Sequence, residues 1–407
     1  MQEINKMKQQ IQDHLDKVIL PFWESLKDDE YGGFYGYMDI DLNVDKKAVK
    51  GCILNNRILW FFANAYLNQK RPELLSYAKH AYEFLKVACL DKTYGGVYWS
   101  VTFDGKPEED MKHTYNQAFA IYALSSYYDA SGDKEALDIA FSIYDVSVPQ
   151  SHHIAFCIYD VIEAHCKDDK GYLEAFDRNF QPVSNEKLSE NGVMAEKTMN
   201  TLLHVFEGYT ELYRVTKDKR VGENLRWMLD IFAKKVYNPD KKRQEVFFDK
   251  DWNTLIDLYS YGHDIETSWL IDRGLEILND PAVTEKLSPI TDTLAEQIYK
   301  IAYKDHSVIN ECERGVDNTT RVWWVQAESV LGFMNYYQKH PEKTEYFKAV
   351  QDIWEYIQTY MVDKRPGSEW FWDLDENKQP SDKKPIVEPW KCPYHNGRMC
   401  FEMINRL

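Results

Sequence analysis

"YGGFYGYMDIDLNVDKK" (residues 31–47) leads into "GCILNNRILWFFANAYLN" (51–68) and then "PELLSYAKHAYEFLKVAC" (72–89). The first piece has the Gly/aromatic content and polar turn of a short strand pair. The second places Ile58, Phe61, Phe62 and Ala65 on one helical face, and the third reads as a further helix. The same order returns along the chain, and a fixed unit repeated in this way decides the fold. "YGGVYWSVTFDGKP" (94–107) precedes "KHTYNQAFAIYALSSYYDAS" (112–131) and "KEALDIAFSIYDV" (134–146). A third unit runs through "GYLEAFDRNFQPV" (171–183), "EKTMNTLLHVFEGYTELYRVT" (196–216) and the helix at 220–236, with Leu202, Val205, Phe206 and Tyr209 as its apolar face.

The fourth unit joins "EVFFDKDWNTL" (245–255) to "GHDIETSWLIDRGLEIL" (262–278) and a helix near 286–304. The fifth has a degenerate hairpin but clear helices at 320–340 and 344–362. The sixth, "SEWFWDLDENKQP" (368–380) with "CPYHNGRMCFEMINRL" (392–407), lacks a second helix, and the N-terminal helix at 2–20 supplies it. Six pairs closed by the N-terminus predict an all-α fold: one (α/α)6-barrel domain over residues 1–407 with short β-hairpins at one rim. A toroid of this kind buries each pair against its neighbours.

Each first helix begins just after its hairpin, so the polar residues at its start should share one bowl. They are Asn55 and Arg57; His113, Tyr115 and Asn116; Asn200 and His204; His263, Asp264 and Glu266; Arg321, Trp323 and Trp324; and Trp390, Tyr394, His395 and Arg398. Any one of them has an ordinary reading as a helix cap. A chain of unrelated helical hairpins, however, gives no reason for the clusters to recur at one phase.

The composition narrows the ligand. A formal charge of -17, from 49 basic and 66 acidic residues, argues against nucleic acid or an anionic membrane as partner. No apolar run approaches the roughly 20 residues that span a bilayer, and seven scattered cysteines suit reduced thiols, so a cytoplasmic protein is expected. A monomer is expected because no long apolar stripe is left over once the ring closes. Twelve Trp, 28 Tyr and 19 Phe, many beside Gly, His, Asn and Arg, form the aromatic and polar mixture that sugar sites use.

Cys392 with His395, and His263 with Glu266, have spacings that metal sites also use. No second Cys lies near either pair, so no metal site is expected, and Cys392 and Cys400 read as buried thiols. His14, His80, His306 and His340 are assigned no role.

"NNRILWFFANAY", "KHTYNQAFAIYALS", "KTMNTLLHVFEGYTEL", "SYGHDIETSWL", "RVWWVQAE" and "WKCPYHNGRMC" closely resemble the cellobiose 2-epimerases, a branch of the N-acylglucosamine 2-epimerase superfamily. The resemblance covers nearly the whole chain and implies the same barrel. It also implies inversion at C2 of the reducing-end glucose of β-1,4-linked disaccharides, cellobiose giving glucosyl-mannose and lactose giving epilactose, with no metal or organic cofactor. It implies His263 and His395 as the acid/base pair and His204 as a third functional histidine.

That chemistry opens the sugar ring, removes the C2 proton from one face and returns one to the other. Two imidazoles suit the task, since an unperturbed pKa of about 6.5 lets each donate or accept near neutrality. Glu266 is then expected to orient or polarise a neighbouring histidine, and Arg57 to stabilise the developing oxyanion. Tyr115, Asn116, Asn200, Asp264 and Arg398 are expected to bind substrate, and Trp323, Trp324 and Trp390 to offer faces for the sugar rings. An N-acylglucosamine 2-epimerase or a mannose isomerase is the nearest alternative. A glycoside hydrolase on the same barrel would need two carboxyls across the bond, drawn from Glu266, Asp264 and Asp177. One stretch departs from the pattern: "IYDV" occurs at 143–146 and 158–161, with an insertion at 147–157 that carries His152 and His153. It reads as an outer-face loop.

Overall fold

The computed structural model describes residues 2–141, 157–187 and 192–407; most of the expected insertion and its two histidines lie outside them. After helix α1 (Gln2–His14) come five pairs: α2 (Cys52–Gln69) with α3 (Pro72–Phe84), α4 (Thr114–Ser131) with α5 (Lys134–Ala140), α6 (Met199–Thr216) with α7 (Lys219–Ile231), α8 (Tyr261–Leu278) with α9 (Pro281–Ile301), and α10 (Trp323–Lys339) with α11 (Thr344–Tyr356). The last helix, α12 (Tyr394–Arg406), pairs with α1. The first helices contact one another in the closed order α2–α4–α6–α8–α10–α12–α2, and their partners pack outside them. This is the expected (α/α)6 barrel.

Burial follows position in the ring. Inner α4 is buried at every residue from Thr114 to Tyr127, because it touches neighbours on both sides and a partner behind. Outer α7 buries a single stripe, including Val221, Leu225, Met228 and Leu229, the pattern of a helix with one wet face. Several outer helices end in a wide π-turn, as at Leu85–Cys89, Phe232–Val236 and Ile357–Met361. The recurrence of this uncommon turn marks the units as copies of one design.

The strands stitch the units together. The two or three residues before each inner helix pair antiparallel with the hairpin of the next unit: Lys50–Gly51 with Ser100–Val101, Lys112–His113 with Ala175–Phe176, Lys197–Thr198 with Phe247–Phe248, Leu258–Ser260 with Glu311–Glu313, and Arg321–Val322 with Asp373–Leu374. The sixth stitch closes the ring, Met38 N–H donating to Val387 O at 3.0 Å and Ile386 N–H to Met38 O at 3.0 Å.

Two further devices repeat. A lysine just before the inner helix is buried onto an acid of its own unit's turn: Lys50 on Asp28 at 2.6 Å, Lys112 on Asp91 at 3.1 Å, Lys197 on Asp168 at 2.7 Å, and Lys391 on Glu369. At the fourth residue of the inner helix, a polar side chain holds the hairpin backbone. Asn55 accepts from Phe34 N–H at 2.9 Å, while Gln117 and Gln326 each accept from and donate to one residue, Val97 and Val308. Asp264 stands at the same place in α8 and accepts from Gln244 Nε2 at 2.9 Å.

Candidate active site

The hairpin rim opens on a cavity of about 490 Å³ to which units one to six all contribute, Arg57, Tyr115, His204, His263, Trp324 and His395 among the lining residues. A helical turn explains which side chains reach it. Residues four apart share a face, whereas a residue two away points nearly opposite. The second and sixth positions of the inner helices therefore face inward: Tyr115, Asn200, Trp324 and His395 at the second and Arg57, His204 and Glu266 at the sixth reach the cavity, Glu328 at the sixth lies behind His395, and His263 enters from the third position of α8. The fourth position points back at the hairpin, which is why Asn55 and Asp264 clamp backbone instead.

Of the expected residues, Arg57, Tyr115, Asn200, His204, His263, Glu266, Trp323, Trp324, Trp390 and His395 line the cavity. Three expected substrate ligands do not. Asn116 is fully buried, donating to Tyr98 O at 2.8 Å. Asp264 is turned to Gln244, and Arg398 is buried behind the wall among carboxylates. Asp177 caps its own turn, accepting from the backbone N–H of Gln181, and is not part of the cavity. Lys187, Ser260, Asn310, Glu311, Val322, Trp372 and Lys384 line it without having been expected.

Each of the three histidines is held through Nδ1, by a different group. His204 meets Glu207 Oε2 at 2.8 Å, His263 meets the Ser260 hydroxyl at 2.6 Å, and His395 meets Glu328 Oε1 at 2.7 Å. Nε2 is thereby left as the nitrogen that can meet a ligand. Glu266, expected to orient a neighbouring histidine, is 3.9 Å from His395 Nδ1, and the carboxylate that holds that ring is Glu328. Glu207, Ser260 and Glu328 went unnoticed in the sequence because they act through a histidine. Glu328 sits in the quoted "RVWWVQAE" at an inward sixth position, and that register is the signal that finds it. Trp324 packs 4.8 Å from the His263 ring and 5.5 Å from that of His395, so one indole braces both. Gly262 makes room for it, since a Cβ there would lie 2.4 Å from the Trp324 ring.

Behind the wall, Arg398 donates to Glu266 at 2.5 Å, to Glu328 at 2.7 Å and to Glu207. Tyr394 donates to Glu207 at 2.5 Å. Burial would push the Glu207 carboxyl up, but Arg398 and His204 bring it down to about 2. Glu266 goes the other way: burial and the neighbouring Glu328 carboxylate raise it well above the usual range, and its Oε2 has no partner among the described residues. Glu266, Glu328 and His395 bring three donor atoms within 4.8 Å of one another, a set a divalent ion can use. The Arg398 guanidinium already lies between the two carboxylates and supplies the positive charge there. Cys392 and His395 do not converge, the thiol facing Arg57 Nη1 at 3.7 Å.

Burial also lowers the histidines. His263 is brought down to about 3, and His395 well below its ordinary value with Arg398 and Arg57 adding to the effect. Both rings are therefore neutral at neutral pH and able to accept a proton. Arg57 donates to the Tyr115 hydroxyl at 2.6 Å and lies 4.2 Å over the Phe119 ring. No carboxylate lies within ion-pair distance of it among the described residues, and its Nε has no partner. A buried cation without a counter-ion, aimed into a cavity with two neutral imidazoles, is prepared to meet negative charge as it develops.

A profile of the N-acylglucosamine 2-epimerase (GlcNAc 2-epimerase) family matches residues 32–396. The chain belongs to that family. A cellobiose 2-epimerase from Eubacterium cellulosolvens is 51% identical over 406 residues, covering 96% of each chain. The solved structure of a sugar epimerase from a ruminal bacterium superposes with a TM-score of 0.93 at 48% identity, over 98% of this chain and 99% of that one. The structure of cellobiose 2-epimerase from Bacillus thermoamylovorans B4167 gives 0.91 at 43% identity, over 99% and 100%. With family, fold and coverage in agreement, the protein is an epimerase.

Proposed function

We propose that the protein inverts C2 of the reducing-end glucose of β-1,4-linked disaccharides, turning cellobiose into glucosyl-mannose and lactose into epilactose. The observation that carries this reading is the placing of His263 and His395 on one cavity, each ring held through Nδ1 and braced by the same indole. In the opened sugar, the C2–H bond breaks as one imidazole Nε2 takes the proton. The electron pair enters the C1–C2 bond and negative charge gathers on O1, giving an enediolate. Arg57 lies ready to stabilise that charge. The other imidazole, carrying on Nε2 a proton taken up from water, delivers it to the opposite face of C2, the first imidazolium returns its proton to water, and ring closure gives the epimer. Burial favours the reprotonation half, because a histidine with a lowered pKa is a strong acid once protonated; the same burial makes the ring a weaker base for the first half, where Arg57 offsets it by stabilising the enediolate. The cavity's volume is within the ~300–1,000 Å³ of small-ligand pockets, and Trp323, Trp324 and Trp390 offer flat faces for sugar C–H bonds.

Proton NMR of cellobiose incubated with the enzyme in D2O tests the proposal. A mannose-configured reducing end carrying deuterium at C2 is the expected product. Unchanged cellobiose would refute the substrate, and free glucose would replace epimerisation with hydrolysis.

A further inference from the structure

Where α1 meets the loop that follows α11, a pocket of about 290 Å³ opens on the seam that closes the ring. His14, Lys17, Asp363, Lys364, Arg365 and Ser368 are among its walls. In a chain of formal charge -17, this lining holds three cations and one acid. Arg365 takes the acid, pairing with Asp363 at 2.5 Å, and Lys17 reaches Asp13 at 2.7 Å on the exposed side of α1. Lys364 has no carboxylate within ion-pair distance among the described residues, and its ammonium donates to Gln358 O at 2.5 Å. Partial burial lowers its pKa with no acid to offset the effect. His14 supplies the facing half of the pocket. It is 8% exposed, and its Nε2 accepts from Trp370 N–H at 2.7 Å, so the neutral ring carries its hydrogen on Nδ1. That N–H has no acceptor among the described residues, although a buried donor ordinarily has one. Burial, and after it the Lys364 charge, lower the His14 pKa to about 3, so the ammonium and the imidazole are near neighbours.

We propose that this pocket binds a phosphate group, either inorganic phosphate or the phosphoryl end of a small ester, between the Nδ1–H of His14 and the Lys364 ammonium. An ammonium and an imidazole N–H, both short of acceptors, call for an anion, and the buried Ser368 hydroxyl adds a third donor. A phosphoryl group brings about -1.5 to -2 of charge and three acceptor oxygens, enough for Lys364 and Lys17 together and for one oxygen to each donor. A carboxylate brings one charge and two oxygens. The pocket shares no lining residue with the catalytic cavity, so the site does not depend on what the cavity turns over. Its walls are the two parts of the chain that complete the sixth unit, and a bound phosphate ties α1 to the hairpin through the same histidine that holds Trp370.

The test is calorimetric titration of the full-length protein with inorganic phosphate and, separately, with glucose 6-phosphate, at fixed ionic strength, for wild type and for Lys364→Gln. Lys364 is an exposed loop residue, so the variant keeps the fold, which circular dichroism confirms. Saturable binding of one phosphate per chain is expected, weakened about tenfold or more in Lys364→Gln, the scale of one lost charge-assisted hydrogen bond. Bound phosphate should also raise the wild-type Tm by more than that of the variant, because the ligand meets the folded chain alone; the comparison removes the general stabilisation that phosphate gives any protein. Tighter binding of glucose 6-phosphate than of phosphate would identify an ester as the ligand, and weaker binding the free ion, and either supports the site. Absence of saturable binding, equal affinity in Lys364→Gln, or equal competition by acetate or chloride would overturn it. Loss of phosphate binding in the presence of saturating cellobiose would place the anion in the catalytic cavity and overturn it as well.

Discussion

The imidazoles of His263 and His395 differ in what steadies them, and that difference predicts unequal mutational costs. Ser260 offers His263 a neutral hydroxyl, so Ser260→Ala removes one hydrogen bond of about 1 kcal/mol and should lower kcat roughly tenfold or less. Glu328 offers His395 a carboxylate and also receives Arg398. Glu328→Gln should cost about 10²-fold or more, because the imidazolium loses its counter-charge during turnover. Steady-state rates for the two variants, with circular dichroism to confirm folding, check the order. The pH dependence follows from the same burial. In the proposed reaction the base is a neutral imidazole, and the lowered pKa of His263, about 3 against an ordinary 6.5, keeps it neutral in acid. The acid limb of kcat/KM should therefore fall below pH 6.5, and a limb centred at or above 6.5 would contradict the desolvated site.

Register within the inner helices separates working residues from scaffolding. Arg57, Tyr115, His204 and His395 were legible as cavity-lining residues because a charged or aromatic side chain in the first two turns has few other uses on a buried helix. Asn116 and Asp264 were misread for a physical reason: an amide or acid at a helix start serves a clamp as well as it serves a hydroxyl. The clamp predicts the outcome of a substitution. Asn55, Gln117 and Gln326 are amides, whereas Asp264 is an acid that burial raises from 3.8 to about 7. A folded-state pKa above the unfolded one means that stability is present at low pH and is lost as pH rises from about 4 through 7. Asp264→Asn removes that loss. Its Tm should exceed wild type by roughly 2 °C or more at pH 8, converge with it near pH 4, and leave activity within a few-fold. Scanning calorimetry at the two pH values checks the sign. The strand stitches were not legible, since two-residue strands carry no periodicity and their partners lie a whole unit away.

At the scale of the molecule, closure of the ring is what brings residues 57 and 395 to one cavity. The repeated order of segments made the barrel readable, including the use of the N-terminal helix to complete the sixth unit. How it is fastened was hidden in His14, a histidine with nothing in its neighbouring residues to single it out. Trp370 N–H donates to His14 Nε2 at 2.7 Å, joining α1 to the hairpin of the last unit, and burial lowers that imidazole to about 3. His14→Leu leaves a buried indole N–H without a partner and should cost about 1–3 kcal/mol, read as a lower Tm with kcat unchanged at 25 °C. Because protonation removes the acceptor, the wild-type advantage should shrink as pH falls from 6.5 towards 3. The central claim is that residues from the fourth and sixth units act as two bases on one carbon, and it is tested by C2 exchange in D2O for His263→Asn and His395→Asn, starting from each epimer. The account predicts that neither variant epimerises, while one still exchanges the C2 proton of the glucose-ended disaccharide and the other that of the mannose-ended one. Epimerisation retained in either variant, or exchange of both epimers by a single variant, would contradict it.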